Sequence, residues 1–192
     1  MKSFVAATCL LLGIGCAFQA LAFDPVTGVI SKGISTALDV RSKSDVKADV
    51  EIDASLTKRL LDQKGEDFKN VSLLVFARHG VLVGFVRGAD TRRKAEELAR
   101  GDKRLKSLRN EIQIGKPGGG LAGDALLDKK IDLKLTATRG VSSVNMRWKA
   151  YGSEVFLTGV AQSAAESALA VKTIKGTDGV RVVRSSLRVG KS

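Results

Sequence analysis

The sequence is poor in the side chains that most often carry chemistry. Among its 192 residues are one histidine, two cysteines and two prolines, and only 5% are aromatic. So few imidazoles and thiols exclude a His-rich metal site, a zinc finger and a disulfide scaffold. The scarcity of aromatic residues predicts an aliphatic core. Hydrophobic residues at 44% and charged residues at 27% are typical of a globular chain, and the length allows one medium domain or two small ones.

Acidic residues are also scarce relative to basic ones. The chain has 20 Asp and Glu against 32 Lys and Arg, a formal net charge of +12. Such a surplus favours anionic partners. The alternative is that the positive charge only keeps the protein soluble.

The first 22 residues have the pattern of a secretory signal peptide. A positive start precedes an uncharged apolar run over residues 4–18, which is too short to span a membrane as a helix. Small residues at the −3 and −1 positions favour cleavage after Ala22. A lipobox-like alternative ends at Cys16, which would then be lipidated. We therefore expect an exported, periplasmic protein associated with a membrane surface, or an outer-membrane lipoprotein if Cys16 is the processing site.

The remainder contains an internal duplication with a constant offset of 75 positions. Glycines that keep their register through a whole unit indicate a repeated fold. This predicts a signal peptide at 1–22, a flexible lead-in at 23–48, a first domain at 49–115, a Gly/Pro linker at 116–123 and a second domain at 124–190. The matched positions include Asp49/Asp124, Gly65/Gly140, Gly84/Gly159, Gly101/Gly176 and Gly115/Gly190.

Each copy changes its hydrophobic period in the same order. A helical spacing gives way to two alternating runs, then to a second helix and a last alternating run. We expect hairpin turns at His79-Gly80 and Gly152-Ser153, and second helices capped by Asp90 and Ser163. The predicted fold class is α+β: two tandem αββαβ units, each a three-stranded sheet covered by two helices.

The duplicated order resembles the BON domain family. The most typical stretch is Gly152-Ser153-Glu154-Val155-Phe156-Leu157-Thr158-Gly159, followed by Gly176-Thr177-Asp178-Gly179-Val180. The first copy departs from the pattern at Arg78-His79-Gly80 and at Lys103-Arg104-Leu105. The resemblance covers residues 49–190. It implies an exported double-BON protein of the Gram-negative envelope that binds anionic phospholipids and helps to keep the outer membrane intact.

No combination of residues predicts an active site. His79 is the only imidazole, and a solvated turn residue is its simplest interpretation. Asp124, Asp128 and Asp132 share one face of a helix, which invites a metal site, but neighbouring lysines favour a solvated face of mixed charge. We expect no enzyme activity, no catalytic residue, no metal and no cofactor.

The positive charge is unevenly shared between the copies. Residues 49–116 hold 15 Lys and Arg against 11 acids, whereas residues 124–192 hold 12 against 6. Phospholipid headgroups are the anionic partner that an exported protein meets, and export disfavours nucleic acid. The second copy is therefore the better candidate for binding lipid.

One helix of the second copy combines apolar and basic residues outside its core stripe. At 100° per residue, Leu126 and Leu133 form a second apolar ridge, and Lys129, Lys130 and Lys134 flank it. We predict that these five residues bind lipid, with leucine entering the headgroup boundary and lysine meeting phosphate. The alternative is that Leu126 and Leu133 pack against the first copy.

These features favour a non-enzymatic envelope protein that binds anionic phospholipid surfaces and supports outer-membrane integrity. The alternative function is a soluble periplasmic stress or interaction protein that binds an envelope protein partner or a wall polymer. Binding to liposomes of graded negative charge separates the two.

Overall fold

The computed structural model describes residues 39–63 and 68–190. The predicted signal peptide, Cys16 and most of the lead-in lie outside the described residues. The elements in chain order are α1 (Lys43–Leu61), β1 (Val71–Phe76), β2 (His79–Val86), α2 (Ala89–Arg100), β3 (Ser107–Asn110), β4 (Gln113–Ile114), α3 (Leu121–Ala137), a short 3₁₀ helix (Ser143–Asn145), β5 (Met146–Tyr151), β6 (Glu154–Ala161), α4 (Ala164–Lys175) and β7 (Val182–Val189).

The two copies have the same sheet topology. In the first, β1 pairs antiparallel with β2, and β3 and β4 follow each other along β2 in parallel. In the second, β5 pairs antiparallel with β6, and β7 pairs in parallel with β6. Helices α1 and α2 cover one face of the first sheet, and α3 and α4 cover one face of the second. The predicted α+β fold of two αββαβ units is confirmed.

Residues 75 positions apart in the sequence have equivalent packing in the two copies. Gly84 and Gly159 have φ angles of +119° and +131°, and a Cβ there would lie 1.9 Å from Asn70 O or 2.1 Å from Asn145 O. Only glycine allows this close approach of two strands. The first helices bury residues at matching positions: Ile52, Leu56 and Leu60 in α1, and Leu127, Ile131 and Leu135 in α3.

Three helices begin before the positions expected from the sequence. Helix α1 starts at Lys43, inside the expected lead-in, because Ser42 caps it by accepting a hydrogen bond from Asp45 N. Helix α3 starts at Leu121, inside the expected linker. The cap predicted at Asp90 is wrong: the N-cap is Gly88, and α2 starts at Ala89, two residues earlier than predicted.

The first hairpin turn differs from the prediction at His79-Gly80. The turn residues are Ala77 and Arg78, both with positive φ, and His79 begins β2. Non-glycine residues adopt this conformation at a cost. The buried Asp49 carboxylate offsets that cost by accepting hydrogen bonds from both turn amides, at 2.9 and 2.7 Å. In the second copy, the turn predicted at Gly152-Ser153 is confirmed.

The copies dock through the sheet faces that carry no helices. Phe85 of the first sheet meets Tyr151 and Phe156 of the second edge to face, with ring centroids 6.2 and 6.3 Å apart. The Tyr151 hydroxyl hydrogen-bonds Ser72 Oγ at 2.8 Å. Because Leu74, Val81 and Val83 join this cluster, the described chain forms four layers in the order helix, sheet, sheet, helix.

Residues before α1 tie the copies together at one end of the sheets. The Arg41 guanidinium lies 4.6 Å from the centre of the Phe76 ring and pairs with Asp39 and Asp49. Arg147 of the second copy lies over the same ring at 5.4 Å. Burial and the charge of Arg41 lower the pKa of Arg147 to about 10. The contacts across Phe76 therefore join α1, β1 and β5.

Candidate functional site

The outward face of α3 presents the ridge predicted from the sequence. Leu126 and Leu133 are 59% and 66% exposed. Lys129 and Lys130 are exposed beside them. The alternative in which these leucines pack against the first copy is wrong, because the sheets make that contact instead.

Two buried aspartates on the opposite side of α3 orient this face. Asp124 accepts a hydrogen bond from Gly152 N at 2.7 Å. Asp128 accepts one from Ala150 N at 2.7 Å and pairs with Lys149 at 2.9 Å. These bonds join the helix to the hairpin below it, so the lysine and leucine face points away from the domain.

The prediction of a solvated acidic face on α3 is therefore wrong. Asp124 and Asp128 are only 7% and 4% exposed, and Asp132 is partly buried. Burial raises the pKa of Asp128 to about 6 and shifts that of Asp124 upward. Across residues 39–63 and 68–190, no three acidic, cysteine or histidine side chains group together in a way that fits a metal ion.

Lys134 differs from the other two lysines of the face. Its ammonium group donates a 2.6 Å hydrogen bond to Gly176 O, at the C-terminal end of α4. A cation at that end of a helix is favourable because the last carbonyls carry partial negative charge. Lys134 thus stabilises the contact between α3 and α4 besides adding positive charge to the surface.

The structure places a further exposed leucine on α3, outside the predicted ridge. Leu121 is 81% exposed in the first turn of α3. The sequence predicts a helix start at Asp124 and places Leu121 in the linker. The adjoining Leu121-Ala122 pair was the available signal that the helix begins earlier. At 100° per residue Leu121 lies about 140° around the helix from Leu126, so it is exposed on a different side of α3 and is not part of the leucine ridge.

The equivalent face of α1 has a different character. Glu51 and Lys58 stand where α3 has Leu126 and Leu133. Glu51 pairs with Lys47 and Arg104, and Lys58 pairs with Asp62. The charges of this face are satisfied within the first copy, and it lacks a leucine ridge.

His79 lies partly exposed at the start of β2, where its Nδ1 is 2.7 Å from Ser107 Oγ. The prediction of a solvated turn residue is wrong in position. Burial, Arg188 and Lys106 lower its pKa, so the ring is neutral near pH 7. No carboxylate of the described residues hydrogen-bonds this ring to orient it as a general base.

The structure is thus a tandem repeat of one sheet covered by two helices, and only the second copy carries the lysine and leucine face. The BON domain model matches residues 48–116 and 123–191. The chain therefore belongs to the BON domain family, with two tandem copies. No helix in residues 39–63 and 68–190 combines the length and hydropathy needed to span a membrane.

Two curated relatives align with most of this chain. An "Uncharacterized protein in gshII 5'region" of Anaplasma centrale is 31% identical over 128 residues, which are 65% of this chain and 85% of the relative. Osmotically-inducible protein Y of Escherichia coli (strain K12) is 27% identical over 144 residues, 73% of this chain and 72% of that protein. Both alignments are long enough to span parts of the two copies.

Among solved structures, CdsD of Chlamydia trachomatis, described as a structural protein of the type III secretion system, aligns with 18% identity and a TM-score of 0.32. The alignment covers 72% of this chain and 63% of that chain. Neither value supports a functional inference for the protein.

Proposed function

We propose that the protein is a non-enzymatic envelope protein that binds anionic phospholipid surfaces through α3 of its second copy and thereby supports outer-membrane integrity. The single observation that carries the proposal is the exposed ridge of Leu126 and Leu133 between lysines. Both leucines remain exposed after the two copies have docked. Membership in the BON family and the net charge of +12 are consistent with it.

The geometry suits a helix lying flat in a headgroup layer. The buried aspartates hold one side of α3 to the hairpin, so the opposite side meets the membrane without unfolding the domain. Leucine side chains enter the acyl boundary while lysine stems extend along it and their ammonium groups reach phosphate. Each lysine near an anionic surface contributes about 1 kcal/mol.

Co-sedimentation with liposomes of increasing phosphatidylglycerol content tests the proposal. We expect binding to rise with the phosphatidylglycerol fraction and to fall with salt. The Lys129→Gln/Lys130→Gln variant should bind about 30-fold more weakly at low ionic strength, since two charges contribute about 2 kcal/mol. Leu133→Asp should also reduce binding while the melting temperature stays unchanged, because Leu133 is exposed.

Leu61→Asp is the matched control, because Leu61 is a 71% exposed leucine at the end of α1. It should bind liposomes like the wild type. Unchanged binding after substitution of both Leu133 and the two lysines, with the fold intact, would falsify the assignment to α3. Binding that ignores lipid charge would contradict an electrostatic contribution.

Export through residues 1–22 is part of the same proposal. We infer cleavage after Ala22, which leaves a mature chain free of cysteine. The intact mass of the exported protein tests this processing. A mass that includes acyl chains on Cys16 would establish a lipoprotein instead and add permanent membrane attachment.

A further inference from the structure

The last strand of the second sheet has one edge without a neighbour. β7 pairs along its length with β6, and no other strand of the described residues lies beside it. The amides of Val182 and Gly190 point toward β6, where they bond Ser153 O and Ala161 O. Since the backbone alternates, the amides of Val183, Ser185 and Val189 point away from the sheet.

A groove runs between this outer edge of β7 and α4. It is a shallow groove, open to solvent, with a volume of about 540 Å³, and its lining includes Ala168, Val171, Ser185 and Val189. Val189 is 53% exposed. The groove therefore offers small apolar side chains directly beside unpaired backbone groups.

The first copy fills the equivalent position with its own side chains. Asn110 Nδ2 donates to Glu96 Oε2 at 2.9 Å, and Arg92 donates to the Asn110 carbonyl at 3.3 Å. Asn110 Oδ1 accepts from Ile112 N at 3.1 Å, an amide on the outer edge. We call these three side chains, Arg92, Glu96 and Asn110, the edge plug.

The second copy lacks the edge plug at every one of its positions. Seventy-five residues later, Arg92, Glu96 and Asn110 are replaced by Ser167, Val171 and Ser185, all of which line the groove. The nearest substitute is a 3.4 Å contact between Leu187 N and Ser185 Oγ, at the long limit for a hydrogen bond. An exposed edge is a template for pairing with another strand, and proteins usually block it. Only the first copy blocks it here.

Basic residues border the open edge on both faces. Lys172 and Lys175 of α4 line the groove and are exposed. On the opposite face of the sheet, Arg188 is exposed and donates to Phe76 O at 3.3 Å, whereas Arg184 is neutralised by its 2.9 Å pair with Glu154. Lys172 and Lys175 on one face and Arg188 on the other give a strand beside β7 a positive environment, so a complementary strand carries carboxylates.

We propose that the outer edge of β7 binds an extended, acidic segment of a partner protein as an added strand. The backbone of the segment pairs with the outward groups of β7, its small apolar side chains enter the groove over Val171, and its carboxylates face the bordering cations. This mode of recognition takes affinity from backbone hydrogen bonds and specificity from alternate side chains. A second copy of this chain is a poor occupant, because pairing two β7 edges brings the cations of both copies together.

The test uses the intact protein and an acetylated, amidated octapeptide that alternates Glu and Val. Titration followed by amide NMR should shift Val183, Ser185 and Val189 and slow the hydrogen exchange of these amides. The Ser167→Arg/Val171→Glu/Ser185→Asn variant transplants the edge plug and should weaken binding at least tenfold. The reciprocal Arg92→Ser/Glu96→Val/Asn110→Ser variant should open a second site on β3.

Controls on the peptide keep the test decisive even where a triple variant unfolds. Methylation of alternate peptide nitrogens should abolish binding to the wild type, and a peptide with Lys in place of Glu should not bind. Equal binding of the methylated or the lysine peptide would overturn the proposal. So would shifts confined to other elements, full binding by a folded plug variant, or sedimentation showing that the wild type dimerises with the β7 amides protected.

Discussion

The two copies share a skeleton but distribute their charges differently. The second copy has the pairs Lys149–Asp128 and Arg184–Glu154. The first copy pairs more of its basic residues internally, as in Lys47–Glu51, Lys58–Asp62, Arg93–Asp90, Arg100–Glu96, Arg104–Glu51, Arg104–Asp102, Lys106–Asp45 and Arg109–Glu111. Exposed pairs add little stability, so their main consequence is neutralisation. The first copy therefore neutralises more of its cations within itself, whereas the second copy leaves more of its cations available to a ligand.

The largest expected loss of stability tests whether the backbones of the two copies are packed equivalently. Gly84→Ala and Gly159→Ala each place a Cβ about 2 Å from a backbone carbonyl oxygen at a positive φ. We expect each to lower the free energy of unfolding by more than about 4 kcal/mol, because neither strand can move without breaking its ladder. Urea denaturation followed by far-UV circular dichroism measures the loss.

Gly123→Ala is the control for this pair. Gly123 lies in α3, and a Cβ there meets nothing within 4 Å. Alanine should stabilise the helix by about 0.5–1 kcal/mol. A clear difference between the losses at Gly84 and Gly159 would contradict the equivalence of the two skeletons.

The next effect separates the copies by their response to pH. Burial raises the pKa of Asp128 to about 6 from 3.8. Between about pH 4 and 6 the folded state holds a proton that the unfolded state has released, so this group makes stability fall as the pH rises. Asp128→Asn removes a contribution of up to about 3 kcal/mol across that window. Unfolding free energies of wild type and variant from pH 4 to 7 measure it.

Asp102 of the first copy changes stability with pH in the opposite direction to Asp128. Its hydrogen bond from Arg104 lowers the pKa to about 2, so its contribution is present above about pH 4 and is lost as the pH falls toward 2. Thr177 occupies the matching position in the second copy. Parallel pH profiles of Asp102→Asn and Asp128→Asn would contradict this opposition.

The sequence predicted what depends on local periodicity. The helix–strand–strand–helix–strand order and the outward face of Leu126 both follow from residues close together in the chain. The same helical projection places Asp128 about 20° from Leu135, inside the core stripe. The neighbouring lysines led to the wrong prediction of a solvated face.

Features set by distant parts of the chain were missed. The turn at Ala77 and Arg78 depends on Asp49, whose carboxylate reaches it from α1. The sequence does contain a sign that the sheets dock. Residues 81–86 have no polar side chain on either face of the strand, a pattern typical of a strand buried on both sides. Which face meets the other copy depends on contacts that periodicity within one copy does not contain.

The smallest expected effect sharpens the comparison at the two hairpins. Asp49 accepts both turn amides and pairs with Arg41, whereas Asp124 accepts only Gly152 N. Asp49→Asn leaves one amide or the guanidinium unsatisfied beside a turn of non-glycine residues at positive φ, at a cost of about 2 kcal/mol.

Asp124→Asn keeps its single acceptor and removes a buried charge, so we expect a loss below about 1 kcal/mol. The difference of about 1 kcal/mol comes from the turn itself, since Gly152 adopts positive φ without strain. Adding Ala77→Gly to Asp49→Asn should therefore recover part of the loss, whereas Ser153→Gly added to Asp124→Asn should recover none. Urea denaturation of the four variants at pH 7 measures these differences. Equal losses for the two asparagine variants, or no recovery with Ala77→Gly, would show that Asp49 stabilises the first copy through Arg41 and not through the turn.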